Sequence, residues 1–285
     1  MNNLTPSGTL PLDPSLVPRP ELCRLAMRVA PSGLDVVIVS IINDNSLIWR
    51  HLPFTGNSAD GGIDIKAFED TVYDNRLLLS EFTAIDVVID TRRFMAIPAE
   101  KATEDYCEEV FAELYPDSAD DEVIISEATE DAAIAAFVPT ALTAFIRRTF
   151  GVRARIYHRM APLCRFFSIK NKLGNNGKLH VHIDNNRADI IAIDREGLLM
   201  ANTFAITNEM DALYYTLAAA RSLDFDNSTD RVIISGDTEI RDHLLPLMRK
   251  YVSYAMPMIF PSDIFKLGRD ALSAPFELIA LPLLD

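Results

Sequence analysis

No apolar run in this sequence reaches the roughly 18 residues that a membrane-crossing helix needs, so no membrane insertion is expected. The opening residues 1–6 carry neither a basic cluster nor an apolar core and do not read as a secretory signal. Cysteine is scarce. Cys23, Cys107 and Cys164 are far apart and odd in number, which excludes a disulfide framework and a paired metal motif and points to a reducing cytoplasm. Positive charge is also short. Lys and Arg total 27 against 41 Asp and Glu, for a net charge of −14. Such a field repels a phosphate backbone. The two basic clusters, Arg147-Arg148 and Arg153/Arg155, read as a helix end and a strand edge, so no nucleic-acid partner is expected. A Walker loop and a dinucleotide Gly-x-Gly-x-x-Gly are missing, and Ser235-Gly236 lacks the context of a nucleophile elbow. The single Trp49 and the eight tyrosines form no base-stacking pattern, and Tyr214-Tyr215 reads as one packed and one exposed ring.

What is present is a globular chain of 285 residues, 49% hydrophobic and 24% charged, long enough for two domains. Five prolines between Pro6 and Pro20 make residues 1–21 an extended segment. Three strands follow at 22–29, 34–42 and 47–54, separated by Pro31-Ser32-Gly33 and Asn43-Asp44-Asn45. Gly56-Asn57 and Gly61-Gly62 mark a loop, then a helix is expected over 65–79 and a strand over 84–89. The same order recurs later. Strands at 178–184, 187–193 and 198–204 lead to a helix at 208–223, a strand at 231–235 and a helix reaching 251. An internal duplication is therefore expected, with a first domain at 22–175, a junction within 171–177, and a second domain at 176–285.

Between the repeats lies an insertion, acidic over 100–131, read as a solvated helix face and loop, with a docking surface for a basic partner as the alternative. It is expected to hold a helix at 98–115, a strand at 123–125, and a long helix at 132–150 kinked or broken at Pro139. Gly151 is the stop of that helix, and a strand at 152–157 and a helix at 159–171 complete the first half. A strand at 255–260, broken at Pro257, and an apolar tail at 275–284 close the chain; the tail must pack against the body or a partner.

Two copies of strand-strand-strand-helix-strand-helix resemble the duplicated ribonuclease-H-like domains of the actin-like ATPase superfamily: an α/β architecture of mixed sheets flanked by helices. The chain also resembles, over about residues 22–285, an uncharacterised bacterial family of unknown function with that fold, through its element order and the Gly-Leu, Asn-x-Phe, Tyr-Tyr and Ile-Ser-Gly pattern of the Leu198–Tyr251 stretch. The resemblance implies ATP and Mg in the cleft between the halves, with an Asp and glycines on each first hairpin and a glycine pair near the adenosine. Here the first hairpin reads Ala30-Pro31-Ser32-Gly33, with no Asp and no N–H at Pro31. The second keeps Asp184 but continues Asn185-Asn186-Arg187, and the adenosine segment Ser235-Gly236-Asp237 has one glycine. The expectation is a degenerate, non-hydrolysing cleft without a resident cofactor, in a scaffold that acts through an unidentified protein partner. The alternative is a working Mg-ATP enzyme with Asp184 as its catalytic residue and Asn185, Asn186, Arg187, Ser235, Gly236 and Asp237 around the nucleotide. A third reading is a metal-dependent hydrolase, because His180, His182 and Asp184 share one strand face. The remaining His51, His158 and His243 fall in no ligand motif, and the plainer reading of the first three is a polar sheet face. Asp35 and Asp86, within apolar strands, are candidates for catalytic acids, and their plainer reading is facing solvent or capping a neighbour.

Overall fold

The computed structural model describes residues 12–42, 47–54, 62–116, 120–171, 177–184 and 186–284. The expected turn at 43–45, the glycine-containing loop at 56–61 and most of the 171–177 junction lie outside them.

The first half forms β1 (Cys23–Ala30), β2 (Gly33–Ser40), β3 (Ile48–Pro53), α1 (Ile65–Asp74) and β4 (Ala84–Ile89). The insertion follows with β5 (Phe94–Pro98), α2 (Glu104–Leu114), β6 (Asp121–Glu127) and β7 (Ala132–Pro139). Then come α3 (Thr140–Phe150), β8 (Ala154–His158) and α4 (Met160–Asn171). The second half contains β9 (Lys178–Asp184), β10 (Arg187–Ile193), β11 (Leu198–Ala205), α5 (Glu209–Ser222), β12 (Arg231–Gly236), α6 (Thr238–Met248), β13 (Tyr254–Pro257), α7 (Ser262–Lys266) and α8 (Phe276–Ala280). The two main sheets have matching orders, β3-β2-β1-β4-β8 and β11-β10-β9-β12-β13, each with an antiparallel hairpin leading into parallel strands. The duplication is thus present in the topology. Among the described residues no helix is long and apolar enough to cross a membrane.

Strand alternation sorts each sheet into two faces. Leu25, Met27 and Val29 of β1, with Val36 of β2 and Val87 of β4, pack outward against α1 and α3. Leu179, Val181, Ile190 and Val232 pack on the opposite outer side against α5 and α6. Between the sheets lie α4 and α8, where Phe166, Phe167, Phe276 and Ile279 meet Val37, Val88 and Ile191. The order of layers is helix, sheet, helix, sheet, helix. The apolar tail is packed into the body, with Phe276, Leu278, Ile279 and Ala280 all buried.

The insertion departs from expectation. Residues 132–139 are a strand, not the start of a helix. The alanine-rich run is the centre of a three-stranded sheet, β5-β7-β6, buried on both faces, where small side chains fit the close packing against α2. Tertiary burial overrides alanine's helix propensity. The helix begins only after Pro139. Likewise α2 starts at Glu104, capped by Thr103, because 94–98 pairs with β7 as a strand. The helix expected over 65–79 ends as α-helix at Asp74 and continues as a 3-10 turn, Arg76–Leu79. The helix expected to reach 251 ends at Met248, and the last strand ends at Pro257. The insertion also touches the second half. The Leu198 amide donates to Asp131 Oδ2 at 3.1 Å, and a Cβ at Gly197 (φ +137°) would fall 2.0 Å from that oxygen.

Candidate functional site at the interdomain cleft

The two hairpins carry equivalent pairs in equivalent register. Arg28 stands opposite Asp35 on β1–β2, and His182 opposite Asp189 on β9–β10. All four side chains belong to the inner faces, so they meet in the layer between the sheets. Arg28 is the hub. Its Nη2 lies 2.8 Å from Asp35, and its Nη1 lies 2.7 Å from Asp184 and 2.9 Å from Glu277 of α8. Arg187 binds Asp90, just past β4, at 2.7 Å and Asp184 at 2.6 Å. Arg159 holds Asp90 at 2.8 Å, pairs with both oxygens of Asp189 and donates to Thr203. Three guanidiniums therefore face five carboxyl groups, and each guanidinium is committed to at least two of them.

Burial pushes the Asp184 carboxyl up, but Arg28 and Arg187 outweigh it and hold the group well below the ordinary range. Asp90 and Asp189 are lowered in the same way, against burial, chiefly by Arg159. Burial lowers Arg28, and the surrounding Glu277, Asp35 and Asp184 more than reverse it. Asp35 also accepts from Trp49 Nε1 at 3.2 Å and contacts His51 Nδ1 at 3.0 Å. The solvent-facing expectation for Asp35 and Asp86 is corrected. Both are buried, and Asp86 is paired with Arg155 at 2.7 Å and Arg24 at 3.2 Å. A carboxylate in a strand buried on both faces needs such a partner.

Beside this cluster lies a cavity of about 730 Å³, bounded by Arg28, Trp49, Asp184, Gly236, Asp237 and Phe276 among others. Of the sequence candidates, His182, Asp184, Gly236 and Asp237 line it. Ser235 is buried and 3.0 Å from His182 Nδ1. Arg187 is turned to Asp90 and Asp184. Asn186 is exposed, with its carbonyl accepting from the Ile206 amide. Asn185 lies outside the described residues. Gly236 has a packing reason to be glycine. Its φ is +93°, and a Cβ there would fall 1.8 Å from the Ile183 carbonyl oxygen. Asp237 caps α6 by accepting from the Ile240 amide at 3.0 Å.

His180, His182 and Asp184 do share a face but turn to different partners. His180 stacks on Phe167, with ring centroids 4.2 Å apart, and among the described residues neither ring nitrogen has a hydrogen-bond partner. His182 meets Ser235, and Asp184 meets the two arginines. Among the described residues no group of three His, Cys, Asp or Glu is arranged to hold a metal ion. Burial, reinforced by Lys178, lowers His180 to about 3, and burial lowers His182 as well. His158 of β8, fully buried on Phe94, is lowered to about 4 by burial and Arg159.

Sequence reasoning missed Arg28, Asp90, Arg159, Asp189 and Glu277. The usable signal was a charged residue at an inward position of a strand whose neighbours are apolar on both faces, as at Arg28 and Asp189. Nothing local marks Glu277.

A crystal structure of a Bacteroides thetaiotaomicron protein with an actin-like ATPase fold and unknown function superposes with a TM-score of 0.75 at 21% identity, covering 93% of this chain and 97% of that one. The PilM–PilN type IV pilus biogenesis complex contains a chain that superposes with a TM-score of 0.58 at 13% identity, covering 93% of this chain and 100% of that one. No curated protein matches the sequence significantly. The profile of a family described as protein of unknown function, DUF3822, matches residues 17–254. The chain belongs to that family, and its fold is the actin-like ATPase fold.

Proposed function

We propose that this protein is a non-hydrolysing actin-like scaffold that acts through protein contacts, its interdomain cleft held by its own ion pairs in place of a nucleotide. The observation that carries this reading is the bridge from Arg28 on the first hairpin to Asp184 on the second, continued by Arg187 to Asp90. In the superfamily these hairpins are where phosphates are held. Here every guanidinium of the cluster is already bound, and carboxyl groups outnumber them. A triphosphate brought to this point would meet unbalanced negative charge at low dielectric. Gly236, the one glycine left of the adenosine motif, is accounted for by strand packing. Mg-ATP therefore does not fit the residues present. The pilus complex adds that the fold serves in a two-protein assembly.

A second reading, a working ATPase, draws on the cavity of about 730 Å³ beside Asp184. It requires Asp184 to leave both arginines. Titration calorimetry with Mg-ATP, paired with a phosphate-release assay, decides between them. The scaffold reading expects neither binding heat nor turnover. Turnover that Asp184→Ala abolishes would overturn it.

A further inference from the structure

The cavity beside the ion-pair cluster has a chemistry of its own. Its apolar wall is aromatic and aliphatic, with Trp49, Phe260, Ile264, Phe276 and Ile279. Its charged wall holds three carboxyl groups, Asp35, Asp184 and Asp237, and two guanidiniums, Arg28 and Arg241. Both guanidiniums are engaged. Arg28 is shared among Asp35, Asp184 and Glu277. Arg241 is bound to Asp242 through Nε at 2.9 Å and Nη2 at 2.8 Å. Asp237 is in the reverse position. Its carboxylate accepts from the amide of Ile240, and among the described residues it has no ion-pair partner.

The amino end of α6, where an anion would otherwise be favoured, is occupied by this capping carboxylate. Among the described residues the cavity thus offers an anionic ligand no guanidinium without a carboxylate partner, and it offers a carboxylate and aromatic faces to a cationic one. A volume of about 730 Å³ is in the range of small-ligand pockets and large enough for two side chains of a peptide.

We infer that this cavity is a recognition site for an organic cation on an apolar body, presented as an Arg or Lys side chain next to an aliphatic residue in a segment of the partner protein. The inference rests on the scaffold reading and names the partner's chemistry. Asp237 receives the cation, and Phe260, Ile264 and Ile279 take the aliphatic neighbour. The net charge of −14 draws a basic segment toward the molecule.

Trp49 is the single tryptophan and lines the cavity, so its fluorescence reports occupancy directly. The probes are acetyl-Leu-Arg-amide and acetyl-Leu-Glu-amide, titrated to millimolar concentration at low salt. The expected result is a saturable change with the arginine probe and at least tenfold weaker binding of the glutamate probe. Asp237→Asn keeps the helix cap and is expected to weaken the arginine probe about tenfold with the thermal midpoint held. No saturable change, equal affinity for the two probes, or unchanged affinity in Asp237→Asn overturns the inference. Mg-ATP run as a third titrant separates the two claims. Its saturation would overturn the scaffold reading, whereas silence from both ATP and the arginine probe would remove only this site.

Discussion

Arg28 and Asp184, which are 156 positions apart, lie 2.7 Å from each other across the cleft. One belongs to β1 and the other to β9, so their ion pair joins the two halves at the tips of equivalent hairpins. Replacing Arg28 by Ala leaves Asp35 and Glu277 buried, and Asp184 half-buried, without their common partner. The expected loss is about 3–5 kcal/mol of unfolding free energy, measured by urea denaturation. A loss below about 1 kcal/mol would mean that the pairs are solvated and loose.

Acid should weaken the protein in two stages. His158 and His180 have ordinary values of 6.5 and are lowered to about 4 and about 3, and His182 is lowered in the same direction. Between pH 6.5 and those values the unfolded chain binds protons that the folded one refuses. Stability is therefore full above 6.5 and falls as pH drops, by up to about 1.4 kcal/mol per pH unit for each histidine. Below the ordinary 3.8 of aspartate, the depressed Asp90, Asp184 and Asp189 add a second loss as they too are protonated. Denaturation midpoints from pH 7 to 4 check the first stage, and a flat profile would contradict it.

His180→Phe should stabilise the protein. The imidazole is 3% exposed, stacked on Phe167, with two ring nitrogens that meet no partner among the described residues. Phenylalanine keeps the stack and removes the polar atoms, a gain of about 1–3 kcal/mol. Thermal unfolding checks the sign. A large loss would contradict the view that the ring nitrogens are unpaired in the folded protein.

Much of the fold was legible because alternation and turn residues are local. Strands β1, β2, β4 and β9 fall within a residue or two of their expected bounds at the start, and the repeated order identified the duplication. The run 132–139 was misread because alanine favours a helix in isolation, while this segment's neighbours in space, β5 and β6, are brought by distant sequence. The cleft was half legible. Asp184, Gly236 and Asp237 do border the cavity, but the partners of Asp184 are Arg28 and Arg187. An ion-pair network joining positions 28, 90, 159, 184 and 277 exists only once both sheets are assembled.

Gly236→Ala should cost roughly 2–4 kcal/mol, from left-handed strain and from overlap with the Ile183 carbonyl. The same change at exposed Gly62, where a Cβ would meet nothing within 4 Å, serves as the control. Equal stabilities of the two variants would remove the packing explanation of Gly236.

The central claim is that internal ion pairs occupy the phosphate end of the cleft. Thermal unfolding with and without millimolar Mg-ATP tests it most directly. A ligand at about a hundredfold over its Kd adds roughly 2.7 kcal/mol, which in a protein of this size raises the midpoint by several degrees. The account predicts the same midpoint in both conditions. A clear rise that Asp184→Ala removes would contradict it.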